Sequence, residues 1–302
     1  MHENIKSGDI IYLGIPNDAL NFDGAFRVLD SEKTNTGTSG MFLLSENLIG
    51  TGKGIIFKEL PKPVNNEYCG SNAQKWCRDF FENNFTLPEK EAVLQTYKSD
   101  AAYVKIHMWE LLGGKQRKGE CPFSAAPGIL KGDRLFPLSA EEAANPDYGL
   151  DSDALRTAYL GNKPAAWWLR SPHAPDFPKD VGIVFYNGWL LDFIESKRSV
   201  FGKAPICMRP ALNLDAAKIT DVIKINEYGE AENNTYREWT IRFAGESEKA
   251  FKDRIKRYAY GKRESRKSYK APATKMNFIV KAGLTIFVKI VDMRRRLSGE
   301  KK

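Results

Sequence analysis

The sequence predicts an α+β protein with short antiparallel sheets, two or three helices and a basic C-terminal extension. Short apolar or alternating runs separated by turn residues are typical of antiparallel strands. Between them, two stretches have apolar residues at helical spacing. The chain has 46 Lys or Arg and 38 Asp or Glu, of which 18 and 4 fall in residues 249–302. The preceding 248 residues therefore keep 28 basic and 34 acidic side chains, so that a mildly acidic body precedes the basic extension.

The first predicted elements are three strands near the N-terminus. They are DIIYLG at residues 9–14, AFRVLD at 25–30 and MFLLSE at 41–46. Turn-forming residues such as NTGTSG, at 35–40, separate them. This spacing predicts a meander of three neighbouring strands.

A helix is predicted next, over residues 71–85. Trp76 and Phe80 share one face at helical spacing, and Ser71 or Asn72 is the expected N-terminal cap.

Two capping boxes predict the starts of further helices. In a capping box, a Ser or Thr and a Glu three residues later each satisfy a backbone N–H of the other. Thr86 with Glu89 starts one helix, and Ser139 with Glu142 starts a shorter one.

Residues 165–215 predict several antiparallel strands. AAWWLRS, at 165–171, is a strand, and residues 181–193 alternate on both sides of Asn187–Gly188, a pair that suits a two-residue type I′ hairpin turn. ICMRPALNLD, at 206–215, predicts one more strand, ended or edged by Pro210.

The domain organisation predicted from these patterns has three parts. Residues 1–220 form the body, residues 221–248 form a hairpin that closes or extends it, and residues 249–302 form a basic, partly helical tail. Within the tail, residues 276–297 fit a helix better than a strand. A strand remains the alternative, because these residues include many β-branched side chains.

The order of these motifs along the chain resembles that of a known family of domains. In order, GDIIYLG, FRVLD, FLLSE, FTLPEKEAVLQTY, LFPLSAEEA, WWLRSP and MRPALNLD occur between Gly8 and Asp215. This order resembles a bacterial family of domains of unknown function whose signature is a WWLRSP strand followed by a GVRPAL strand. Its strand pattern is similar to the C-type lectin-like fold of formylglycine-generating enzymes and of retroelement variable proteins. The resemblance implies a C-type lectin-like mixed body, but a shared fold does not confer a function.

Several chemistries of those relatives are disfavoured here. Cys207–Met208 stands where the family usually has Gly-Val, and Cys207 has no second cysteine downstream or within eighty residues upstream, which argues against a cysteine-pair oxidase. The tripeptides EPN and WND, which resemble the calcium-dependent sugar sites of lectins, do not occur.

The four cysteines and three histidines show no metal-ligand spacing, so we expect no metal and no cofactor. We expect the cysteines to be reduced thiols. If the protein is exported, a Cys69–Cys77 disulfide is the alternative.

The WWLRSP stretch raises two structural expectations. In a strand, Trp167 and Trp168 point to opposite faces, so one belongs to the core and the other faces a loop or groove. Arg170 and Arg209 are costly to bury unless paired, and we expect them to tie loops together through carboxylates or backbone carbonyls. The alternative is that one of them binds an anionic ligand.

Candidate ligand-binding residues follow from the loops that these strands hold. They are Trp168, His173, Asp176, Asn187, Lys197 and Arg198. His173 with the nearby acids also suggests a general base or a metal site, but a solvated loop fits one histidine better. No catalytic residue is predicted.

Two hypotheses of function follow from the sequence. The first is a non-catalytic binding module that recognises a carbohydrate or a protein through loops after the WWLRSP and hairpin strands. Its basic tail, residues 249–302, would contact an anionic surface or nucleic acid. The alternative is an enzyme of unrecognised chemistry on the same fold. The N-terminus shows no secretory signal and no transmembrane run occurs, which predicts a cytoplasmic protein unless another export route operates.

Overall fold

The computed structural model describes residues 4–59, 66–105, 123–173, 177–202, 204–229 and 235–260. All of them belong to one compact unit, Met1–Lys105 with Pro122–Ser265. The residues of a second unit, Ile106–Cys121 with Arg266–Lys302, lie outside the described part of the chain.

Strands make up most of the regular structure in the described residues. The strands are β1 (Ile10–Tyr12), β2 (Ala25–Asp30), β3 (Met41–Ser45), β4 (Thr96–Ser99), β5 (Tyr103–Lys105), β6 (Phe123–Ala125), β7 (Ile129–Asp133), β8 (Phe136–Pro137), β9 (Ala158–Leu160), β10 (Lys163–Pro172), β11 (Asp180–Val184), β12 (Leu190–Glu195), β13 (Val200–Phe201), β14 (Ala204–Cys207), β15 (Pro210–Leu214), β16 (Ile219–Gly229) and β17 (Thr235–Phe243). The helices are α1 (Asn72–Asn84), α2 (Leu87–Ala92), α3 (Asp153–Arg156) and α4 (Glu248–Tyr260).

The larger sheet has seven strands in the order β16-β17-β1-β2-β3-β15-β8. The predicted N-terminal meander is confirmed, because β1, β2 and β3 are antiparallel neighbours. The hairpin expected after Asp215 is also present, as β16 and β17. Since β17 pairs with β1 in parallel, this hairpin continues the sheet of the body.

The smaller sheet runs β12-β11-β10-β14-β13, with β9 added to β10. Its β11–β12 hairpin is confirmed, but the predicted type I′ turn is wrong. That turn needs positive φ at both central residues, whereas Gly188 has φ +87 and Asn187 is not among the positive-φ residues. The amide of Gly188 donates to the carbonyl of Phe185, and the amide of Phe185 donates to the carbonyl of Trp189. The loop is therefore a three-residue turn that ends on a left-handed glycine.

The chain passes between the two sheets within the stretch predicted as one strand, residues 206–215. It forms β14, which ends at Cys207 in the smaller sheet, and β15, which starts at Pro210 in the larger one. Met208 makes an isolated bridge to Ile49, and Arg209 lies at the crossing. One alternating run thus serves two sheets, which periodicity alone does not reveal.

The predicted helix caps are confirmed. The hydroxyl of Ser71 accepts a hydrogen bond from the amide of Gln74 at 3.0 Å at the start of α1. The amide of Thr86 donates to the Glu89 carboxylate at 2.8 Å at the start of α2.

Within its described residues the body has three α-helices, α1, α2 and α3, within the two or three predicted, and α4 lies in the segment predicted as a partly helical tail. The single-turn α3 itself was not predicted. The stretch after Ser139 is a 3₁₀ turn, Glu142–Ala144, rather than an α-helix. Single turns carry too few residues to show a helical period.

An aromatic cluster packs α1 against the first strands. Phe22 lies 5.0 Å from Phe80 between ring centroids, and Phe26 lies 6.2 Å from Phe85. All four rings are at most 4 % exposed. The N-terminal strands and α1 therefore share one core.

Helix α4 is fixed to the body by buried polar contacts, although residues 249–302 were predicted as a tail. The guanidinium of Arg254 donates to Glu246 at 2.7 and 2.9 Å and lies 3.7 Å from the Glu89 carboxylate. The hydroxyl of Tyr258 donates to the carbonyl of Gly14. The first part of that segment therefore belongs to the compact unit, while residues 261–302, including the ambiguous 276–297, lie outside the described residues.

None of the helices in the described ranges has the length and hydropathy needed to cross a bilayer.

Candidate functional site

Arg170 is the centre of a buried charge network. Its Nε and Nη2 donate to the Asp100 carboxylate at 2.8 and 2.6 Å, and its Nη1 and Nη2 donate to the Glu142 carboxylate at 2.6 and 2.8 Å. Nη1 also donates to the carbonyl of Pro137 at 2.8 Å. A guanidinium has five N–H donors, so this side chain, 0 % exposed, is fully satisfied. No donor is left for an anionic ligand.

Glu142 connects this network to the predicted capping box. The amide of Ser139 donates to the Glu142 carboxylate and the amide of Glu142 donates to the Ser139 hydroxyl. Lys98 and Asn35 donate to the same carboxylate at 2.6 and 2.8 Å. Burial alone would raise the pKa of Glu142, but Arg170 and Lys98 outweigh it and lower the pKa to about 2. This carboxylate holds no proton to donate at neutral pH, so the network has the geometry of a structural tie rather than of an acid–base site.

Arg209 makes a second, weaker tie at the crossing between the sheets. Its Nε donates to the carbonyl of Ser45 at 3.0 Å, and its two terminal nitrogens donate to the carbonyls of Arg156 and Glu46, both at 3.4 Å. The guanidinium also lies 5.4 Å above the Trp167 ring. Through the backbone carbonyls Arg209 is bonded to the ends of β3 and α3, and through the Trp167 ring it contacts β10.

The two tryptophans of WWLRSP are both 0 % exposed. They bond to different segments, as expected for opposite faces of β10. The indole N–H of Trp167 donates to the carbonyl of Arg156 at 3.2 Å, and that of Trp168 donates to the carbonyl of Ile55 at 2.7 Å. Trp168 does face a loop, but that loop covers it, with the Phe57 ring 5.3 Å away. In this structure Trp168 offers no surface to a ligand.

Asn187 lies at the tip of the β11–β12 hairpin and has a local structural contact. Its side-chain oxygen accepts from the amide of Trp189 at 3.3 Å. The tip is pressed on α3, because a Cβ at Gly188 would lie 1.7 Å from the carbonyl oxygen of Asp153. A six-residue strand spans about 20 Å, so Asn187 is separated from the candidates at the other end of the hairpin.

That other end brings two of the predicted loops together. Asp180 pairs with Glu195 at the open end of the hairpin. On one side of this pair, the amide of His173 donates to the carbonyl of Asp180 at 3.0 Å; on the other, the amide of Ser196 donates to the carbonyl of Lys179 at 2.8 Å. The loop after Pro172 and the loop after β12 therefore lie side by side.

We call the exposed residues of these two adjacent loops the basic loop surface. It consists of Phe177, Lys179, Lys197, Arg198 and Val200, all exposed, with 42 % of Phe177 and 41 % of Val200 accessible. Glu195 lies 3.9 Å from Lys197 and 3.7 Å from Arg198 and offsets one of the three positive charges. The predicted residue Asp176 falls outside the described residues. The two adjacent loops thus carry three exposed cations, one of them offset by Glu195, and one exposed aromatic ring.

A distant segment holds this surface in position. The amide nitrogen of the Asn66 side chain lies 2.6, 3.2 and 3.5 Å from the carbonyl oxygens of Asp180, Phe177 and His173. The backbone amide of Lys58 donates to the carbonyl of Ser196 at 3.0 Å. These contacts join residues more than a hundred positions apart, so sequence periodicity gave no sign of them.

His173 lies at the inner edge of this surface, beside a partner that the sequence reasoning missed. Its Nδ1 is 3.2 Å from the Asp192 carboxylate, and the two side chains are 11 % and 9 % exposed. The distance is that of an ion pair, but the angle is not that of a hydrogen bond, and Nδ1 is one of the buried atoms without a hydrogen-bond partner. The Phe177 ring meets the imidazole edge-on at 4.6 Å. An acid inside the apolar run WLLDFI was the available signal for Asp192.

Metal and thiol chemistry find little support in the described residues. Within the described ranges, no group of three or more His, Cys, Asp or Glu side chains is arranged to hold a metal ion. Cys69, Cys77 and Cys207 are free thiols, so the Cys69–Cys77 disulfide does not form here. Burial raises the pKa of Cys207 to about 12 and that of Cys77 further. Neither buried thiol ionises at neutral pH.

Comparison with known proteins gives one match. The sequence model of a family described as "Domain of unknown function (DUF6273)" matches residues 38–216, more than half of the chain. The chain belongs to this family. The DUF6273 region includes Arg170, Arg209 and the basic loop surface, and it leaves β1, β2, β16, β17 and α4 outside. No curated protein and no solved structure matches.

Proposed function

We propose that this DUF6273 protein is a non-catalytic binding module whose basic loop surface holds an anionic ligand. The observation that carries the proposal is that two adjacent loops carry three exposed cations, Lys179, Lys197 and Arg198, together with the exposed ring of Phe177. Ammonium and guanidinium groups make charge-assisted hydrogen bonds to sulfate, phosphate and carboxylate groups. An aromatic ring beside them covers the apolar part of the same ligand.

The position of the surface supports the same function. Its loops are bonded to Asn66 and Lys58, so binding requires little further ordering of the backbone. Arg170 has no free donor to offer a substrate, since all five of its N–H groups are satisfied. Binding therefore fits this geometry better than acid–base chemistry in the described residues.

Removing two cations from the surface is expected to weaken the binding of an anion about tenfold. The variant is Lys197→Ser with Arg198→Ser, because each exposed cation contributes about 0.5–1 kcal/mol to such contacts. Isothermal titration calorimetry of the full chain measures it, with sucrose octasulfate as one probe and a glutamate-rich peptide as the other. The probe that responds more strongly identifies the class of ligand.

The matched control is Lys163→Ser with Lys218→Ser, which removes two exposed charges elsewhere on the body. Its affinities are expected to stay within about twofold of the wild type. Equal losses in both double variants would show a general charge effect and would contradict a binding surface at Lys197 and Arg198.

We also propose that the chain beyond α4 contacts an anionic partner. Residues 261–302 contain 13 Lys or Arg and 3 Asp or Glu, a net charge of +10. Such a concentration of like charge attracts nucleic acid or an anionic lipid surface. In α4 the exposed Lys252 and Lys256 are paired with Glu248 and Asp253, so most of the unbalanced positive charge lies in the later residues.

A chain that stops after Tyr260 is therefore expected to elute from heparin at clearly lower salt than the full chain. The reason is that each cation contacting the polyanion adds to the salt dependence of binding. Lys197→Ser with Arg198→Ser in the full chain is the comparison and is expected to shift the elution less. Elution of the shortened and full chains at the same salt concentration would exclude this role for residues 261–302.

We further propose that the body has a C-type lectin-like fold. The mixed α/β architecture supports it, as does the placement of the WWLRSP strand and the MRPAL strand in two sheets that meet at Arg209. Superposition of an experimental structure on members of that fold tests the assignment.

A further inference from the structure

His173 is a titratable group that the proposed binding surface leaves unexplained. Its side chain is 11 % exposed, it has a carboxylate of Asp192 at 3.2 Å, and its Nδ1 makes no hydrogen bond. A neutral imidazole in this position gains little from the carboxylate. An imidazolium gains an ion pair in a poorly solvated place, where charges attract more strongly than in water.

The imidazole also lies within electrostatic range of the basic loop surface. His173 is bonded across to Asp180, and Asp180 is paired with Glu195. Two strand spacings separate the backbones of His173 and Glu195 by roughly 10 Å, about one Debye length at physiological salt. Phe177 contacts the imidazole directly. A charge on His173 therefore reaches a ligand held over Phe177.

We propose that His173 is the acid-sensitive element of the basic loop surface, which binds an anionic ligand more tightly when the imidazole is protonated. This inference rests on the proposed binding function and adds its regulation. Protonation places a positive charge against Asp192 and within roughly 10 Å of the loop that continues to Lys197 and Arg198. A histidine changes charge between pH 5 and 8, so the effect falls in the range that cells use for pH-dependent binding.

The charged groups on the elements around His173 act in both directions. Asp192 on β12 has its carboxylate 3.2 Å from Nδ1 of the imidazole, and Asp180 on β11 is buried, with its carbonyl bonded to the amide of His173. Lys179 on the loop opposes the imidazolium, but its exposed ammonium is screened by solvent. The strand β6 contributes Ala125, which carries no charge, through an isolated bridge.

The test is a histidine NMR titration of the full chain between pH 5 and 8, with and without sucrose octasulfate. The sulfate groups keep their charge across this range. The chain has three histidines, and His173→Gln identifies the signal of His173. Binding and protonation affect each other equally, so a threefold gain in affinity moves the His173 midpoint up by about half a pH unit. We expect that shift, and we expect the affinity of His173→Gln to be independent of pH.

Two outcomes overturn the inference. One is a His173 midpoint that is the same with and without octasulfate; the other is an affinity of His173→Gln that still rises in acid. The variant Asp192→Asn is expected to move the midpoint of the free protein to lower pH, and no movement contradicts the role of the ion pair. If Lys197→Ser with Arg198→Ser binds like the wild type, the binding surface itself is wrong. If that variant loses binding while the His173 midpoint stays fixed in the wild type, only the pH dependence is wrong.

Discussion

Replacing Arg170 with methionine is expected to lower the free energy of unfolding by about 3–5 kcal/mol, the cost of breaking a buried ion pair. The variant leaves the carboxylates of Asp100 and Glu142 buried, with only Lys98 to neutralise them. For a domain of this size such a loss corresponds to a fall in the melting temperature of about 10 °C. Urea denaturation and differential scanning calorimetry measure it.

Two further variants make this prediction specific. Arg198→Met makes the same change at an exposed position and is expected to cost less than about 0.5 kcal/mol. Arg170→Lys keeps the charge but has three donors instead of five, so its stability is expected to lie between those of the wild type and Arg170→Met. A melting temperature for Arg170→Met within 2 °C of the wild type, or a loss equal to that of Arg198→Met, would contradict the structural role of the network.

A fragment limited to the family-matched residues 38–216 is expected not to fold cooperatively. It lacks β1, β2, β16, β17 and α4, and therefore four of the six strand pairs of the larger sheet and the partners of the rings of Phe80 and Phe85. The missing segments bury at least eight large apolar side chains: Ile10, Ile11, Leu13, Phe22, Phe26, Val28, Leu29 and Ile241, each at most 2 % exposed. At about 1.5–3 kcal/mol each, their loss amounts to about 12–24 kcal/mol, as large as or larger than the 5–15 kcal/mol that a domain has in total.

The matched fragment is residues 4–260, which retains every described strand and helix. It is expected to unfold in one cooperative transition with a melting temperature close to that of the full chain. Size-exclusion chromatography and thermal denaturation by circular dichroism compare the two fragments. A monomeric 38–216 fragment with a sharp unfolding transition would show that the flanking strands are dispensable.

The local features of the fold were predictable because they depend on neighbouring residues. The meander of β1 to β3, the caps at Ser71 and Thr86 and the β11–β12 hairpin each follow from patterns within about fifteen residues. The errors arose where tertiary contacts overrode the local pattern. Asn187–Gly188 favours a type I′ turn, but the tip is packed on Asp153 and takes another loop.

The candidate site was predictable only in part. The loops holding His173, Lys197 and Arg198 were correctly expected to be held by the WWLRSP strand and the hairpin, because both follow directly along the chain. Asp192 and Asn66 were missed, since each reaches the loops through contacts between distant segments. Trp168 and Asn187 were predicted as ligand-binding residues because alternation and turn patterns suggested that they were exposed. Those patterns do not show that another segment of the chain packs against the residue.

By itself, the sequence determined the order of most strands and helices, the division of charge between body and C-terminal residues, and the requirement that Arg170 find buried partners. Only the tertiary structure decided that those partners are Asp100 and Glu142 and that α4 belongs to the body. It also decided that the loops carrying Phe177, Lys179, Lys197 and Arg198 lie side by side. The physical reason is that alternation, caps and charge act over short distances along the chain. Burial and ion pairing depend on which segments the sheets bring together.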